Sequence, residues 1–221
     1  MSGRRIGAYG GTFDPMHNGH LEVIRAVTQR FSLDRLLLIP AHRPPHKQRN
    51  EISNSYHRYA MAVLATLDEN RVRVSSIELE APERPFTVET IAELRKIYGD
   101  GASLYFIMGA DSYEDLASWR EPERLVSSTN IIVITRPGYE IDSASLPAWA
   151  TGNTVDLRGR GAQDLADLEY GRTCCRIYLA DFVNKDVSST DIRRRVREGR
   201  EFRHLVPPRV GDYIEEYELY R

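Results

Sequence analysis

Short aliphatic and β-branched runs alternate along this chain with stretches in which apolar side chains return at helical spacing. The runs at 5–9, 36–39, 72–77, 104–108, 131–135 and 176–179 are largely apolar throughout, which predicts strands covered on both faces. Between them, Ile24, Val27 and Phe31 mark one helical face, and Tyr56, Tyr59, Ala60, Val63, Leu64 and Leu67 a second. Ile91, Leu94 and Tyr98 mark a third. A β-α-β-α order implies right-handed crossovers and hence an α/β fold, a doubly wound parallel sheet. The stretch 207–220 reads as a final helix, opened by Pro208 and packing through Val210, Tyr213, Ile214 and Tyr217. The stretch 140–173, rich in Gly, Ala, Asp and Ser, has weak periodicity and predicts an excursion with one short helix at most. There is no internal repeat.

The polar segments gain meaning once placed on that scheme. Residues 10–20 follow the first predicted strand, 40–47 the second, 109–111 the fourth, 136–138 the fifth, and 184–193 the sixth. All five fall at the carboxyl ends of strands, the edge at which open α/β sheets bind ligands. Their coincidence is a stronger sign of a site than any one of them.

Composition narrows the function classes. A chain of 221 residues accommodates one generous domain, with 180–221 as a small C-terminal helical portion. With 41% hydrophobic and 28% charged residues it reads as a soluble globular protein with a sizeable core. Its net charge of −2 lacks the basic excess that non-specific nucleic-acid binding needs. It leaves room for one small nucleotide, for which a few local cations and helix N-termini suffice. No apolar run approaches the ~20 residues that span a bilayer, and no signal-peptide pattern opens the chain, so a cytoplasmic location is expected. Cys174 and Cys175 are adjacent, poorly placed for a structural disulfide, and read as two thiols at a strand edge.

The segment GGTFDPMHNGH at 10–20 carries the most specific chemistry. Gly10 and Gly11 end a strand where the backbone can approach a ligand, and Thr12 offers a hydroxyl. His17 and His20 stand at i, i+3, on one face at the mouth of the next helix. A helix N-terminus brings unpaired N–H groups and partial positive charge, a seat for phosphate. Two histidines beside it can donate hydrogen bonds to phosphate oxygens whose charge grows as pyrophosphate leaves. A metal reading, with His42 and His46 completing a zinc site, ranks well below this one.

Taken with PAHRPPHK at 40–47, RYAM at 58–61, RPFTVET at 84–90, MGADS at 108–112 with Trp119, TRPGY at 135–139 and VSSTDIRRRV at 187–196, the segment strongly resembles the HxGH nucleotidyltransferase superfamily. Within it the chain resembles the bacterial nicotinate-mononucleotide adenylyltransferases, from about Gly7 to the C-terminus, with only 140–173 lacking a signature. The resemblance implies a Rossmann-like nucleotidyltransferase fold and transfer of AMP from ATP to nicotinate mononucleotide. The products would be nicotinate adenine dinucleotide and pyrophosphate in NAD biosynthesis, formed by direct in-line attack without a covalent intermediate.

It also implies roles residue by residue. His20 would act at the α-phosphate, with His17, Lys47 and Arg193 completing the catalytic set. ATP would be bound by Gly10, Gly11, Thr12, Phe13, His17, His20, Gly109, Asp111, Arg136, Ser189, Thr190 and Arg193. Arg194 and Arg195 are left as surface or interface charge. Gly11, Thr12, His46, Lys47, Thr87 and Trp119 would hold nicotinate mononucleotide. Trp119 would stack on the pyridine ring, and a helix N-terminus at Thr87 would favour a carboxylate over an amide. Glu89 nearby weighs slightly the other way. Mg²⁺ is expected on ATP itself, carried by nucleotide oxygens and water. The tyrosines and the arginine run leave a homo-oligomeric interface open. Two rivals stay open at this stage: the same chemistry on pantetheine phosphate or both pyridine nucleotides, and a regulatory domain that senses nucleotide without catalysis.

Overall fold

A computed structural model describes residues 3–42, 52–81, 85–135, 152–160, 175–183 and 187–221, with the single positions 141, 147 and 149. Among the described residues seven strands form one sheet: β1 (Arg5–Gly11), β2 (Arg35–Pro40), β3 (Val72–Val74), β4 (Ser103–Gly109), β5 (Asn130–Ile134), β6 (Thr154–Asp156) and β7 (Ile177–Ala180). Their order is β3-β2-β1-β4-β5-β7-β6, and every pairing is parallel. The α-helices among the described residues are α1 (Asn18–Arg30), α2 (Ser55–Thr66), α3 (Thr87–Tyr98), α4 (Ala110–Glu114), α5 (Pro122–Ser128), α6 (Ser189–Arg197) and α7 (Pro208–Glu216). The expected doubly wound α/β sheet is what forms.

The alternation of side chains along the central strands divides the core in two. Tyr105, Ile107, Ile132 and Ile134 point into a cluster with Ile24 and Val27 of α1, Met61 and Ala62 of α2, Ile192 of α6, and Val210 and Ile214 of α7. Leu104, Phe106, Ile131 and Val133 point the other way, onto Val88, Ile91 and Leu94 of α3 and Leu125 of α5. Chain order reverses between the neighbours β1 and β4. From β1 the chain departs toward the first cluster through α1, and from β4 toward the second through α4 and α5. The crevice between their carboxyl ends is the switch point of the fold.

Four sequence expectations change. The final helix ends at Glu216, and Tyr217, expected to pack, is 55% exposed. The strand expected at 72–77 stops at Val74, because Ser76 opens a turn: its carbonyl accepts the N–H of Leu79 and of Glu80, and its hydroxyl donates to Glu80 Oε1 at 2.6 Å. The featureless stretch 140–173 contributes the edge strand β6, whose half-exposed Thr-Val-Asp has no apolar run to announce it. The α2 stripe is also rotated from the one predicted. Its buried positions are Arg58, Met61, Ala62, Ala65 and Thr66, while Tyr56 is 74% exposed and Leu67 55% exposed. The tyrosines drew the predicted stripe to the wrong side, since an arginine at a core position gives no hydrophobic signal.

Candidate active site

The loop after β1 is built from its own side chains. His17 is the N-cap of α1, and its Nδ1 accepts the backbone N–H of His20 at 3.3 Å. In return His20 Nδ1 accepts the backbone N–H of His17 at 3.2 Å, a reciprocal capping box made of two imidazoles. The rings stack with centroids 3.6 Å apart and planes at 17°. Because each Nδ1 serves as an acceptor, each ring carries its proton on Nε2, and both Nε2–H groups are donors. Phe13 lies beneath, 2% exposed, in edge contact with Tyr9 at 5.3 Å and with His20 at 5.1 Å. Its buried ring leaves only its backbone for contact with a nucleotide.

The same ring explains Gly11. A Cβ at that position would come within 2.7 Å of Phe13 Cζ. Gly11→Ala therefore displaces the ring that supports His20. It should destabilise the protein by about 1–3 kcal/mol through overpacking. Turnover should fall with it, and parallel thermal-melting and initial-rate measurements check both effects.

Long-range contacts pin this loop from below. Arg58 of α2 is 1% exposed, and every hydrogen bond it makes among the described residues goes to a backbone carbonyl. Its Nη1 donates to Thr12 O at 2.8 Å, its Nη2 to Ala41 O at 2.6 Å and His42 O at 3.3 Å, and its Nε to Ser53 O at 3.2 Å. One guanidinium thus joins the ends of β1 and β2 to the start of α2. Burial lowers the Arg58 pKa, opposed by the nearby Asp14 charge. Asp14, 1% exposed, accepts the Ser53 N–H at 3.0 Å on one oxygen and the Tyr220 hydroxyl at 2.6 Å on the other.

Helix α6 closes the same site. Its first residue, Ser189, donates from Oγ to Pro15 O at 3.1 Å. Arg193, 9% exposed, donates to Asp14 O at 2.8 Å and to Thr190 Oγ1 at 3.4 Å. The N-termini of α1 and α6 are thereby tied to one short loop, and Ser188, the α6 N-cap, makes no side-chain cap bond. Two helix N-termini beside a pair of imidazole donors make a strongly anion-favouring concavity. By contrast, Arg194 and Arg195 pair with Asp191 in the same helix.

The second half of the site lies across the switch point. The position at which a Cβ on Gly10 would stand is 3.2 Å from the Phe106 ring, and Phe106 meets Trp119 edge-on at 6.3 Å. Trp119, half-buried, ends a short 3-10 turn after α4. Thr87 is the first residue of α3, as expected, with Phe86 as its N-cap. The Arg120 guanidinium lies 4.8 Å above the Phe86 ring, which brings the Trp119 segment against the start of α3. Glu89 folds back to accept the Phe86 N–H at 2.8 Å, so its carboxylate is held by the cap. Gly109 and Asp111 are exposed at the carboxyl end of β4.

His46, Lys47 and Arg136 lie outside the described residues. Among the described residues no group of three or more His, Cys, Asp or Glu side chains gathers as a metal site, and no helix is long and apolar enough to cross a membrane. The sequence assigns no individual role to Asp14, Arg58 or Tyr220, although Asp14 lies within the 10–20 segment and Arg58 opens the RYAM motif. The available signal was Arg58 itself, which shares a helical stripe with Met61, Ala62 and Ala65.

Comparisons with known proteins agree with this geometry. The cytidylyltransferase-like family matches residues 8–195. A protein of Thermoanaerobacter sp. (strain X514) named "probable nicotinate-nucleotide adenylyltransferase" is 38% identical over 98% of this chain and 94% of its own. A Thermus thermophilus protein of the same name is 38% identical over 98% of this chain and 100% of its own. The solved structure of Plasmodium falciparum nicotinic acid mononucleotide adenylyltransferase complexed with NaAD superposes with a TM-score of 0.73. It covers 98% of this chain and 97% of that one at 20% identity, which shows a shared fold. With its switch-point site and its full-length relatives, the chain belongs to the cytidylyltransferase-like family and, within it, to the nicotinate-nucleotide adenylyltransferases.

Proposed function

We propose that the enzyme transfers AMP from ATP to nicotinate mononucleotide by one in-line displacement. The observation that carries this reading is the junction of the His17–His20 pair at the start of α1 with the start of α6, through Ser189 to Pro15 and Arg193 to Asp14. A phosphate oxygen of the mononucleotide forms a bond to the α-phosphorus of ATP. The bond from that phosphorus to the bridging oxygen of the β-phosphate breaks, and pyrophosphate leaves with the electron pair. No protein nucleophile is required. The chain's work is positioning and the stabilisation of charge on phosphate oxygens.

In this reading His20 donates from Nε2 at the α-phosphate, and His17 helps hold the nucleotide beside it. The backbone of Gly10 to Phe13 lines the junction of the two substrates, with Thr12 beside the acceptor phosphate. Ser189, Thr190 and the α6 N–H groups take the β- and γ-phosphates. Arg193 adds its charge from behind the loop. Gly109 and Asp111 border the nucleotide at the end of β4, and Lys47, His46 and Arg136 are assigned to the phosphate mouth by resemblance. Mg²⁺ bound to the triphosphate supplies charge neutralisation, with its ligands drawn from nucleotide oxygens and water. Nucleic acid and membrane have no part in the reaction, and a homo-oligomer is compatible with it.

Trp119 and the start of α3 are the proposed acceptor pocket, the indole stacking on the pyridine ring and Thr87 receiving its carboxylate. One hydrogen bond to a charged group contributes ~1.5–3 kcal/mol, so nicotinate mononucleotide should exceed its amide by at least ~10-fold in kcat/KM. Pyrophosphate release from ATP, measured with each pyridine nucleotide and with pantetheine phosphate, tests the whole reading. Equal efficiency for acid and amide refutes the carboxylate preference. Turnover of pantetheine phosphate alone refutes the acceptor, and ATP binding without pyrophosphate release would identify a sensor.

A further inference from the structure

The last residues of the chain lie under the phosphate loop. After α7, Leu219 and Tyr220 pack against the first core cluster. Tyr220 has φ 69° and Glu218 φ 50°, left-handed conformations that non-glycine residues hold only where surrounding contacts impose them. The contacts here are specific. The Tyr220 hydroxyl donates to Asp14 Oδ1 at 2.6 Å, in a bond that spans 206 positions of sequence. Burial, and secondarily the Asp14 charge, push the Tyr220 pKa far above its ordinary value, so the hydroxyl remains a donor.

Asp14 is in turn the point at which distant parts of the chain hold the loop. Ser53 donates to its other carboxylate oxygen at 3.0 Å, and Arg193 to its carbonyl at 2.8 Å. Arg58 is directed at carbonyls, Thr12 O among them. The carboxylate is therefore held by neutral donors, the Ser53 N–H on one oxygen and the Tyr220 hydroxyl on the other. Without that hydroxyl, Asp14 Oδ1 loses the partner it has in the structure, a loss that a shift of the loop would relieve. Any such movement is transmitted along Pro15 and Met16 to His17, the cap of α1.

We propose that Tyr220 is a positioning residue for the phosphate site: its hydroxyl fixes Asp14, and through Asp14 the stacked His17–His20 pair. The inference rests on reading that pair as the phosphate-binding element. It assigns the C-terminal residues a part in turnover although they belong to no motif of the site.

Tyr220→Phe keeps the ring and its packing and removes only the hydroxyl. The expected result is a fall in kcat of about 10-fold with both KM values within about 2-fold, as for an interaction felt mainly in the transition state. Leu219→Ala is the matched control, since it removes packing from the same tail and leaves the Tyr220–Asp14 hydrogen bond in place. It should lower the melting temperature at least as much as Tyr220→Phe while leaving kcat near wild type. Histidine ¹⁵N spectra supply a readout independent of activity. Wild type should show the Nε2–H tautomer at His17 and His20, and Tyr220→Phe should blur or shift those two signals alone.

A Tyr220→Phe enzyme with full kcat and unchanged histidine signals overturns the proposal. So does a loss of kcat that tracks thermal stability equally in both variants. Should the wild-type chain release no pyrophosphate while Tyr220→Phe still perturbs the two histidine signals, the reading of the site fails and the positioning role stands.

Discussion

His20→Ala should lower kcat by about 10²–10³-fold, the typical effect of removing one preorganised donor from a developing oxyanion. The KM for ATP should change far less, because His17, the α6 N-terminus and the Gly10–Phe13 backbone would still hold the triphosphate. The fold should survive. His20 is a half-exposed residue in the first turn of α1, where its Nδ1 accepts the His17 N–H at 3.2 Å and its ring packs against His17 and Phe13. Loss of a capping side chain costs about 1 kcal/mol, small against the stability of a domain this size. Purified enzyme with a wild-type circular dichroism spectrum, assayed for pyrophosphate release, checks both halves. A folded variant with a near-normal rate would falsify the assignment of His20 to the reacting phosphate.

The second large effect is on stability and comes from Arg58. Arg58→Met keeps most of the side-chain volume and removes the guanidinium from Thr12 O, Ala41 O and Ser53 O. A buried carbonyl left without a donor costs about 1–3 kcal/mol, and these three are partly buried, so a total of about 3 kcal/mol is expected after partial relaxation. For a chain of this length that lowers the melting temperature by roughly 6–12 °C. Activity should also fall at temperatures where the variant remains folded, because Thr12 lies on the loop after β1 that carries the histidine pair and Ala41 on the loop after the neighbouring β2. Arg58→Lys should recover only part of the loss, since one ammonium cannot reach carbonyls spread as a planar fork reaches them. A variant that melts within about 2 °C of wild type would show that water replaces the guanidinium at little cost.

These two residues differ in how visible they are in sequence. His20 stands in a short segment of Gly, Asp-Pro, Asn-Gly and paired His, where each residue type has a local physical reason to be. Arg58 stands in a helix rich in tyrosine and alanine, where an arginine is ordinarily a solvated charge. Its partners are main-chain carbonyls, which every residue carries and none advertises. The same holds for Tyr220, whose neighbours suggest only a C-terminal helix with an aromatic face. The rotated stripe of α2 has this cause too: the core side of the helix opens with Arg58, and the exposed side with Tyr56. Edge strand β6 was illegible for a different reason, because a short half-exposed run at a sheet margin needs no apolar pattern.

By itself the sequence determined the alternation of buried strands and helices and the placing of polar loops at strand ends. It also determined the i, i+3 histidines at a helix mouth. Each follows from short-range periodicity or from the conformational habits of a few residue types. The ordered motifs determined the family. Only the tertiary structure decided how the site is held together: that the two imidazoles cap one helix reciprocally, that α6 is brought to Pro15 and Asp14, and that Phe106 links Gly10 to Trp119. It also decided that Arg58 and Tyr220, far apart along the chain, brace the loop from beneath. Apart from the histidine pair, those contacts join residues tens to hundreds of positions apart, and several of them end on backbone carbonyls, which no local pattern marks.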